Sequence, residues 1–549
     1  MKTGGQLIVE ALEANGVTRI FSVAGESYLA VLDALHDSPI QNIVCRQEGG
    51  AAIMADCEGR LTGRPGICFV SRGPGATNAS IGVHIARQDS VPMILFVGQI
   101  ARGTIDREAF QEMDYRAFFG SVAKWVVEIN DPARIPELVT RAFAVASSGR
   151  PGPVVVSLPE DMLVEKADAP QILPFVPVET RPGAEEMQEL KERLSQAERP
   201  LVILGGTRWN ERAVEEMAGA LEAWKLPAGC SFRRQGLLDP LHPCYAGDVG
   251  AGLNPILGKY VEDSDLIVLV GGRFSELASS DYRLMKVPYP AQKLVHIHAD
   301  PQEIGRVYRP TLGINATPAA FAAAFAKLVP AGADKWSGAT EQLHGSYLAW
   351  STPPQANPGA VQMGPIIRYL QEALPGDTIV ANGAGNFTTW ANRFHRYRSF
   401  STQAAPTAGA MGYGVPAAVA AKLAFPERLV VVFSGDGDFM MNGQEFATAV
   451  QYKTPIVVIV LDNNSYGTIR MHQEREYPGR ISGTELVNPD FAGFARICNG
   501  HGETVAETDQ FIPAFERAVA SGRPSIIHVK LDIEAITPSR TLSDIRGAK

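Results

Sequence analysis

Short apolar runs alternate with longer segments of helical periodicity along the whole chain. VPMILFVG (91–98), RPLVILGG (199–206), DLIVLVGG (265–272), LVVVFS (429–434) and IVVIVLD (456–462) are nearly continuous in apolar residues. Such runs predict strands buried on both faces, and their alternation with helical patterns predicts βαβ units. The fold class is therefore α/β, with doubly wound parallel sheets. Two segments interrupt the rhythm: the proline-rich stretch at 167–183 and SGATEQLHGSYLAWSTPPQANPG at 337–359. Read as linkers, they divide the chain into domains at 1–165, 185–335 and 360–530, each of ordinary domain size. The tail, 531–549, lacks periodicity and reads as either a cap over a site or a loose end.

Composition narrows the function. The 549 residues are 45% hydrophobic and 20% charged, with a net charge of -9. No basic stripe is present, so nucleic acid is not an expected partner. The apolar runs are too short to cross a bilayer, so no membrane partner is expected either. MKTGGQLIVEALEANGV reads as an amphipathic helix without the basic start and apolar core of a signal peptide. Six scattered cysteines without a CxxC pair read as reduced thiols of a cytoplasmic protein, not as a zinc site.

The richest chemistry follows two strands. Gly435-Asp436-Gly437 succeeds LVVVFS, and Asn463-Asn464 succeeds IVVIVLD. Open α/β sheets bind ligands beyond the carboxyl ends of their strands, and parallel neighbours bring those ends together. A carboxylate and an amide carbonyl converging there form a hard-oxygen set suited to Mg²⁺ or Ca²⁺. An EF-hand is excluded because Met440 and Ala447 stand where that loop needs oxygen ligands. Asn442-Gly-Gln-Glu445 reads as a capped helix start.

This spacing resembles the cofactor signature of thiamine-diphosphate-dependent enzymes, and the resemblance runs along nearly the whole chain toward the acetolactate synthase-like branch. It implies that the three domains are pyrimidine-binding, central and diphosphate-binding. It implies Mg²⁺ held by Asp436, Asn463 and the carbonyl of Ser465, with Gly435, Gly437, Asp438, Tyr466, Gly467 and Thr468 around the diphosphate. Gly385-Asn386-Phe387, after the strand DTIVAN, matches the family's diphosphate-side loop. Gly409 and Met411, in GAMGYGVP, match the segment whose methionine wedges under the bent cofactor.

In the first domain, QEGGAAIMA matches the stretch whose glutamate, here Glu48, acts on the cofactor's pyrimidine and thereby activates the thiazolium. GPGATN, with Pro74 and Asn78, matches a turn that shapes the same pocket. Asn78 also reads as a helix cap. Gly25 opens a Gly-Glu pair where acetolactate synthases carry Pro-Gly-Gly. Gln111, in AFQE, would place an amide beside the reacting carbonyl; otherwise it is a surface residue of an acidic helix. Lys124 matches a lysine near the substrate entrance. His472 stands where anabolic acetolactate synthases have a tryptophan, so it marks the substrate pocket or a plain surface position.

The family reaction is decarboxylation of a 2-oxo acid followed by attack on a second carbonyl. The absence of a His-His pair favours ligation over the simple decarboxylases, which remain the alternative together with a 2-hydroxyacyl-CoA lyase. The lyase would want basic residues near the tail, which has Arg540, Arg546 and Lys549. GGRFSEL (271–277) and VHIHADPQEIGR (295–306) resemble FAD-binding synthases, but relatives without FAD keep similar strands, and the sequence weighs against FAD. The resemblance further implies a homodimer or homotetramer with sites between subunits.

Overall fold

The computed structural model describes residues 1–547; Lys549 lies outside them. Among the described residues, three six-stranded parallel sheets are strung along the chain. The first orders its strands Gln41–Val44, Arg19–Ser22, Gly66–Ser71, Met93–Gln99, Pro153–Pro159 and Trp125–Glu128. The second runs Tyr245–Val249, Ala228–Ser231, Pro200–Leu204, Leu266–Val270, Lys293–His298 and Leu312–Asn315. The third runs Gln403–Ala404, Ile379–Asn382, Val430–Gly435, Ile456–Asp462, Ser525–Lys530 and His501–Val505. The continuous apolar runs are central strands, as their pattern predicts.

Near its middle each sheet reverses its winding direction, and ligands enter such sheets at that switch point. The three reversals lie between Arg19–Ser22 and Gly66–Ser71, between Pro200–Leu204 and Leu266–Val270, and between Ile379–Asn382 and Val430–Gly435. The first is followed by Gly25 on one side and Gly73-Pro74 on the other, and the third by Gly385 and Asp436.

Several local expectations change. Residues 337–350 are not linker but the helix Ser337–Trp350, which closes the central domain by burying Thr340, Leu343 and Tyr347. Its Ala, Ser, Thr and Gly content conceals the 3.6-residue period, and Tyr347 packs edge-on against Tyr245 at 4.7 Å. GPGATN is not a turn: the helix Arg72–Asp89 begins directly after the strand. Its Pro74 lies in the first turn, where the missing N–H has no helical acceptor to lose. Asn78 therefore sits a turn inside the helix and cannot cap it. Asn442 ends the helix Asp436–Asn442 and does not start the next one; its amide donates to the Gly412 carbonyl at 3.1 Å. The tail is not a loose end: Ile536, Leu542 and Ile545 cluster with Met471, and Arg546 pairs with Glu474 at 2.8 Å.

The first and third domains share a core. Helix Glu48–Thr62 lies against helix Gly414–Ala424, and both are rich in alanine and glycine, which lets the backbones approach. A buried ionic network pins the seam. Arg60 pairs with Asp56 at 3.4 Å and with Asp89, and its Nε donates to the Tyr413 hydroxyl at 3.1 Å. Asp89 also accepts the Thr407 and Ala408 N–H groups at 2.8 and 2.9 Å. Burial pushes the Asp56 carboxyl up to about 6. At Asp89 the Arg60 and Arg234 charges and the Thr407 bond outweigh burial and hold the carboxyl low.

Removing one member of such a network strands a buried charge, which costs about 3–5 kcal/mol. Asp89→Ala is therefore expected to lower the thermal unfolding midpoint, measured by calorimetry. Arg212→Ala, at an exposed pair on helix Glu211–Trp224, is expected to leave it in place.

Candidate active site

The third sheet delivers its functional residues from adjacent strands. Gly435 pairs with Leu461 in register, so Asp436 and Asp462–Ser465 emerge side by side. Asp436 is 3% exposed. Its Oδ1 accepts the Gly437 N–H at 2.9 Å, and its Oδ2 accepts the Ser465 N–H at 3.1 Å and the Asn488 amide at 2.7 Å. Burial and the neighbouring Asp462 push its carboxyl up to about 6. Asp462 goes the other way. His528 and Lys530, each at 2.7 Å, with the Asn464 N–H and the Asn488 amide, outweigh its burial and hold it well below the usual carboxylate range.

A buried carboxylate of raised pKa, whose hydrogen bonds come from two backbone N–H groups and an amide, fits a cation. Asn463 adds an amide oxygen of the right hardness one residue along, and the Ser465 carbonyl lies in the same turn, accepting the Gly467 N–H at 2.7 Å. The Asp436, Asn463 and Ser465 set therefore fits Mg²⁺ chemically. A Cβ on Gly437 would lie 2.5 Å from the Tyr466 ring, so any larger residue at this helix start has to displace that ring.

Asp438 works differently from its neighbours. It accepts the Ser434 hydroxyl at 2.6 Å, the Gly412 N–H at 2.9 Å and the Ala384 N–H at 3.2 Å. It thereby ties the Gly385 loop and the Gly409–Met411 loop to the strand Val430–Gly435, and burial pushes its carboxyl up to about 6. The Asn386 N–H donates to the Thr468 hydroxyl at 2.8 Å, and its amide reaches the Ile536 carbonyl of the tail at 3.2 Å. Phe387 packs against Gly435. Met411 is half-buried.

The first sheet makes a second group. Glu48 is the first residue of helix Glu48–Thr62 and is half-buried. Asn78 donates its amide to Glu48 Oε2 at 2.9 Å, so its part in the site is to orient the acid. Gly25 packs against Ser71, and the Gly73 N–H donates to the Gln111 carbonyl at 3.0 Å. Gln111 lies in a loop with φ +66°, not on an acidic helix.

Two predicted residues stand elsewhere. Lys124 donates to the carbonyls of Val145, Ser148 and Arg150 at 2.6, 2.8 and 2.8 Å. Its three donors are spent on the end of helix Ile135–Ser147, where a cation suits the helix dipole, and burial lowers its pKa to about 8. The substrate-entrance role expected for Lys124 has no support in this geometry. His472 is exposed, with its Nδ1 2.7 Å from Arg475. Sequence reading missed Asp462, Asn488 and His528. Asp462, directly before Asn463, was findable as a polar end to an apolar strand; Asn488 and His528 carry no local signal.

The switch point of the second sheet opens into a cavity of about 390 Å³. Gly206, Gly271, Gly272 and His298 line it, with Arg150, Arg208, Arg234 and Arg273. Three of these arginines meet the last carbonyls of helix Arg72–Asp89: Arg150 that of Arg87 at 2.6 Å, Arg273 that of Gln88 at 2.5 Å, and Arg234 that of Asp89 at 3.0 Å.

Family models match each domain. Residues 2–118 match the N-terminal TPP binding domain of thiamine pyrophosphate enzymes, 187–325 their central domain, and 383–529 their C-terminal TPP binding domain. The acetolactate synthase isozyme 2 large subunit of Escherichia coli is 31% identical over 541 residues, 97% of each chain. The probable acetolactate synthase large subunit of Methanocaldococcus jannaschii is 30% identical over 566 residues, covering 99% of this chain and 95% of the relative. The acetolactate synthase large subunit of Lactococcus lactis is 31% identical over 502 residues, covering 89% and 86%. With these matches spanning all three sheets, and with the two loop groups at their switch points, the chain belongs to the thiamine-diphosphate-dependent enzymes, as an acetolactate synthase-like member.

Proposed function

We propose that the protein decarboxylates a 2-oxo acid and joins the resulting fragment to a second carbonyl compound, with thiamine diphosphate and Mg²⁺ as cofactors. The observation that supports this most is the buried Asp436 carboxylate, set beside Asn463 and Ser465 at paired strand ends in a chain similar end to end to acetolactate synthase large subunits. Thiamine diphosphate, when bound, supplies the nucleophilic carbon and the electron sink for loss of carbon dioxide. Asp436, Asn463 and the Ser465 carbonyl hold the metal. The loop at Gly385–Phe387, with Gly437 and the Ser465–Thr468 segment, would hold the diphosphate. Met411 would lie against the cofactor, and Glu48 would hold or move a proton at its pyrimidine nitrogen. Gln111 would face the substrates.

We infer that two copies complete the site. Proton exchange by Glu48 needs a dry pocket, yet in one chain Pro74 and Asn78 are exposed. Apolar side chains also face outward near both groups: Phe110 is 72% exposed and Met440 55%. Exposed apolar side chains beside a site that needs to be dry fit burial against a second copy. Sedimentation analysis is expected to find a dimer or tetramer and no stable monomer.

The cavity of the central domain supports FAD as a further ligand. Its glycine-rich floor and arginine walls suit a phosphate-bearing dinucleotide. Purified protein is expected to release flavin absorbance on denaturation; a colourless protein that gains no activity with added FAD overturns the assignment.

Product analysis with pyruvate, Mg²⁺ and thiamine diphosphate tests the main reading. Acetolactate is the expected product, and Glu48→Gln is expected to lower kcat about 10²–10⁴-fold while leaving cofactor binding intact. Acetaldehyde alone would place the chain with the simple decarboxylases.

A further inference from the structure

We propose that Glu445 is the positioning residue for Glu48, an inference that rests on the reading of Glu48 as the group that activates the cofactor. Glu48 is reached from Gln41–Val44, which lies at the edge of the first sheet. Edge strands leave backbone groups without ladder partners. Here the third domain of the same chain supplies them from one short helix. The Tyr452 hydroxyl accepts the Val44 N–H at 2.7 Å and donates to the Asn42 carbonyl at 3.1 Å. Glu445 Oε1 accepts the N–H groups of Arg46 and Gln47, both at 3.0 Å. The Arg46 guanidinium reaches the Gln451 side-chain oxygen at 2.7 Å. The two residues immediately before Glu48 are thus held by one carboxylate.

That carboxylate has little else to do. Glu445 is fully buried, and its remaining side-chain bond comes from the Thr448 hydroxyl at 2.6 Å. Burial raises its pKa against the bonds from Thr448, Arg46 and Gln47. An anion at the start of a helix, receiving N–H groups without helical acceptors, is favourably placed. Gly50 shows how close the fit is: a Cβ there would lie 2.5 Å from Glu445 Oε1. Gln47 completes the corner by accepting the Gly50 N–H at 3.1 Å.

The backbone of Glu48 is therefore fixed before it by Glu445 and after it by Gln47, while Asn78 fixes its side chain. Displacement of a reacting group by about 1 Å can cost 10²-fold in rate. Glu445 also stands shortly after Asp436, beyond the helix Asp436–Asn442. One continuous segment therefore bears the metal-side carboxylate and holds the proton-transferring one.

The test uses the enzyme loaded with thiamine diphosphate and Mg²⁺. The readout is the rate at which the cofactor's C2 proton exchanges with deuterated water, followed by NMR after an acid quench. Glu445→Gln keeps the size of the side chain and removes its charge. It is expected to slow exchange at least tenfold, to lower kcat in step, and to leave KM for pyruvate within about twofold, in the sense of a positioning loss. Thr448→Val, a milder change, is expected to slow exchange less, in the same direction. The double variant Glu48→Gln with Glu445→Gln is expected to exchange no more slowly than Glu48→Gln alone, because both act through one group. Unchanged exchange in Glu445→Gln with only a lower melting temperature overturns the proposal, as does a double variant slowed by the product of the two single effects. Wild-type exchange in Glu48→Gln sinks the reading of Glu48 itself and the proposal with it, an outcome read without any change at Glu445.

Discussion

The rest of the molecule depends on the seam between helix Glu48–Thr62 and helix Gly414–Ala424. Small residues let the two approach, and the Asp56–Arg60–Asp89–Tyr413 network fixes their register. Buried ions add little net stability over an apolar core, but they fix which groups must face one another. Here they join the domain that bears Glu48 to the domain that bears Asp436, so each acid keeps its position relative to the other's scaffold.

The seam also orders the segment that leads to Met411. Asp89 stands at the end of helix Arg72–Asp89 and holds the backbone of Thr407 and Ala408, shortly before Met411. A carboxylate at a helix C-terminus opposes the dipole, and the arginines of the central cavity meet the neighbouring carbonyls. This 18-residue helix spans about 27 Å. Its second turn presents Asn78 to Glu48, and its last turn lines the cavity of the second sheet. All three switch points are thus mechanically connected, two directly through this helix and the third through Asp89.

Much of this was legible locally. Continuous apolar runs announced the central strands because parallel strands are buried on both faces. Asp436 and Asn463 were legible as a pair because strand, helix, strand is a local unit whose ends must meet. Glu48 was singled out through its resemblance to a known motif. What failed locally failed for identifiable reasons. Helix Ser337–Trp350 looked like linker because its buried Thr340, Leu343 and Tyr347 are spread among small polar residues. Asn78 looked like a cap because the glycines and proline before it suggested a turn, whereas Pro74 is tolerated inside the first turn. Lys124 looked substrate-facing because nothing in its neighbourhood reveals the helix end that consumes its donors.

The sequence by itself determined the α/β class, the order of strands and helices, and the oxygen-bearing strand ends, because these follow from periodicity and from contacts close along the chain. Only the tertiary structure decided which partners those groups have. Asn488 and His528 act on carboxylates 52 and 66 residues away, and Glu445 acts on Arg46 and Gln47 from 399 and 398 residues away. Such pairings depend on how folded domains dock, and no local pattern encodes that geometry.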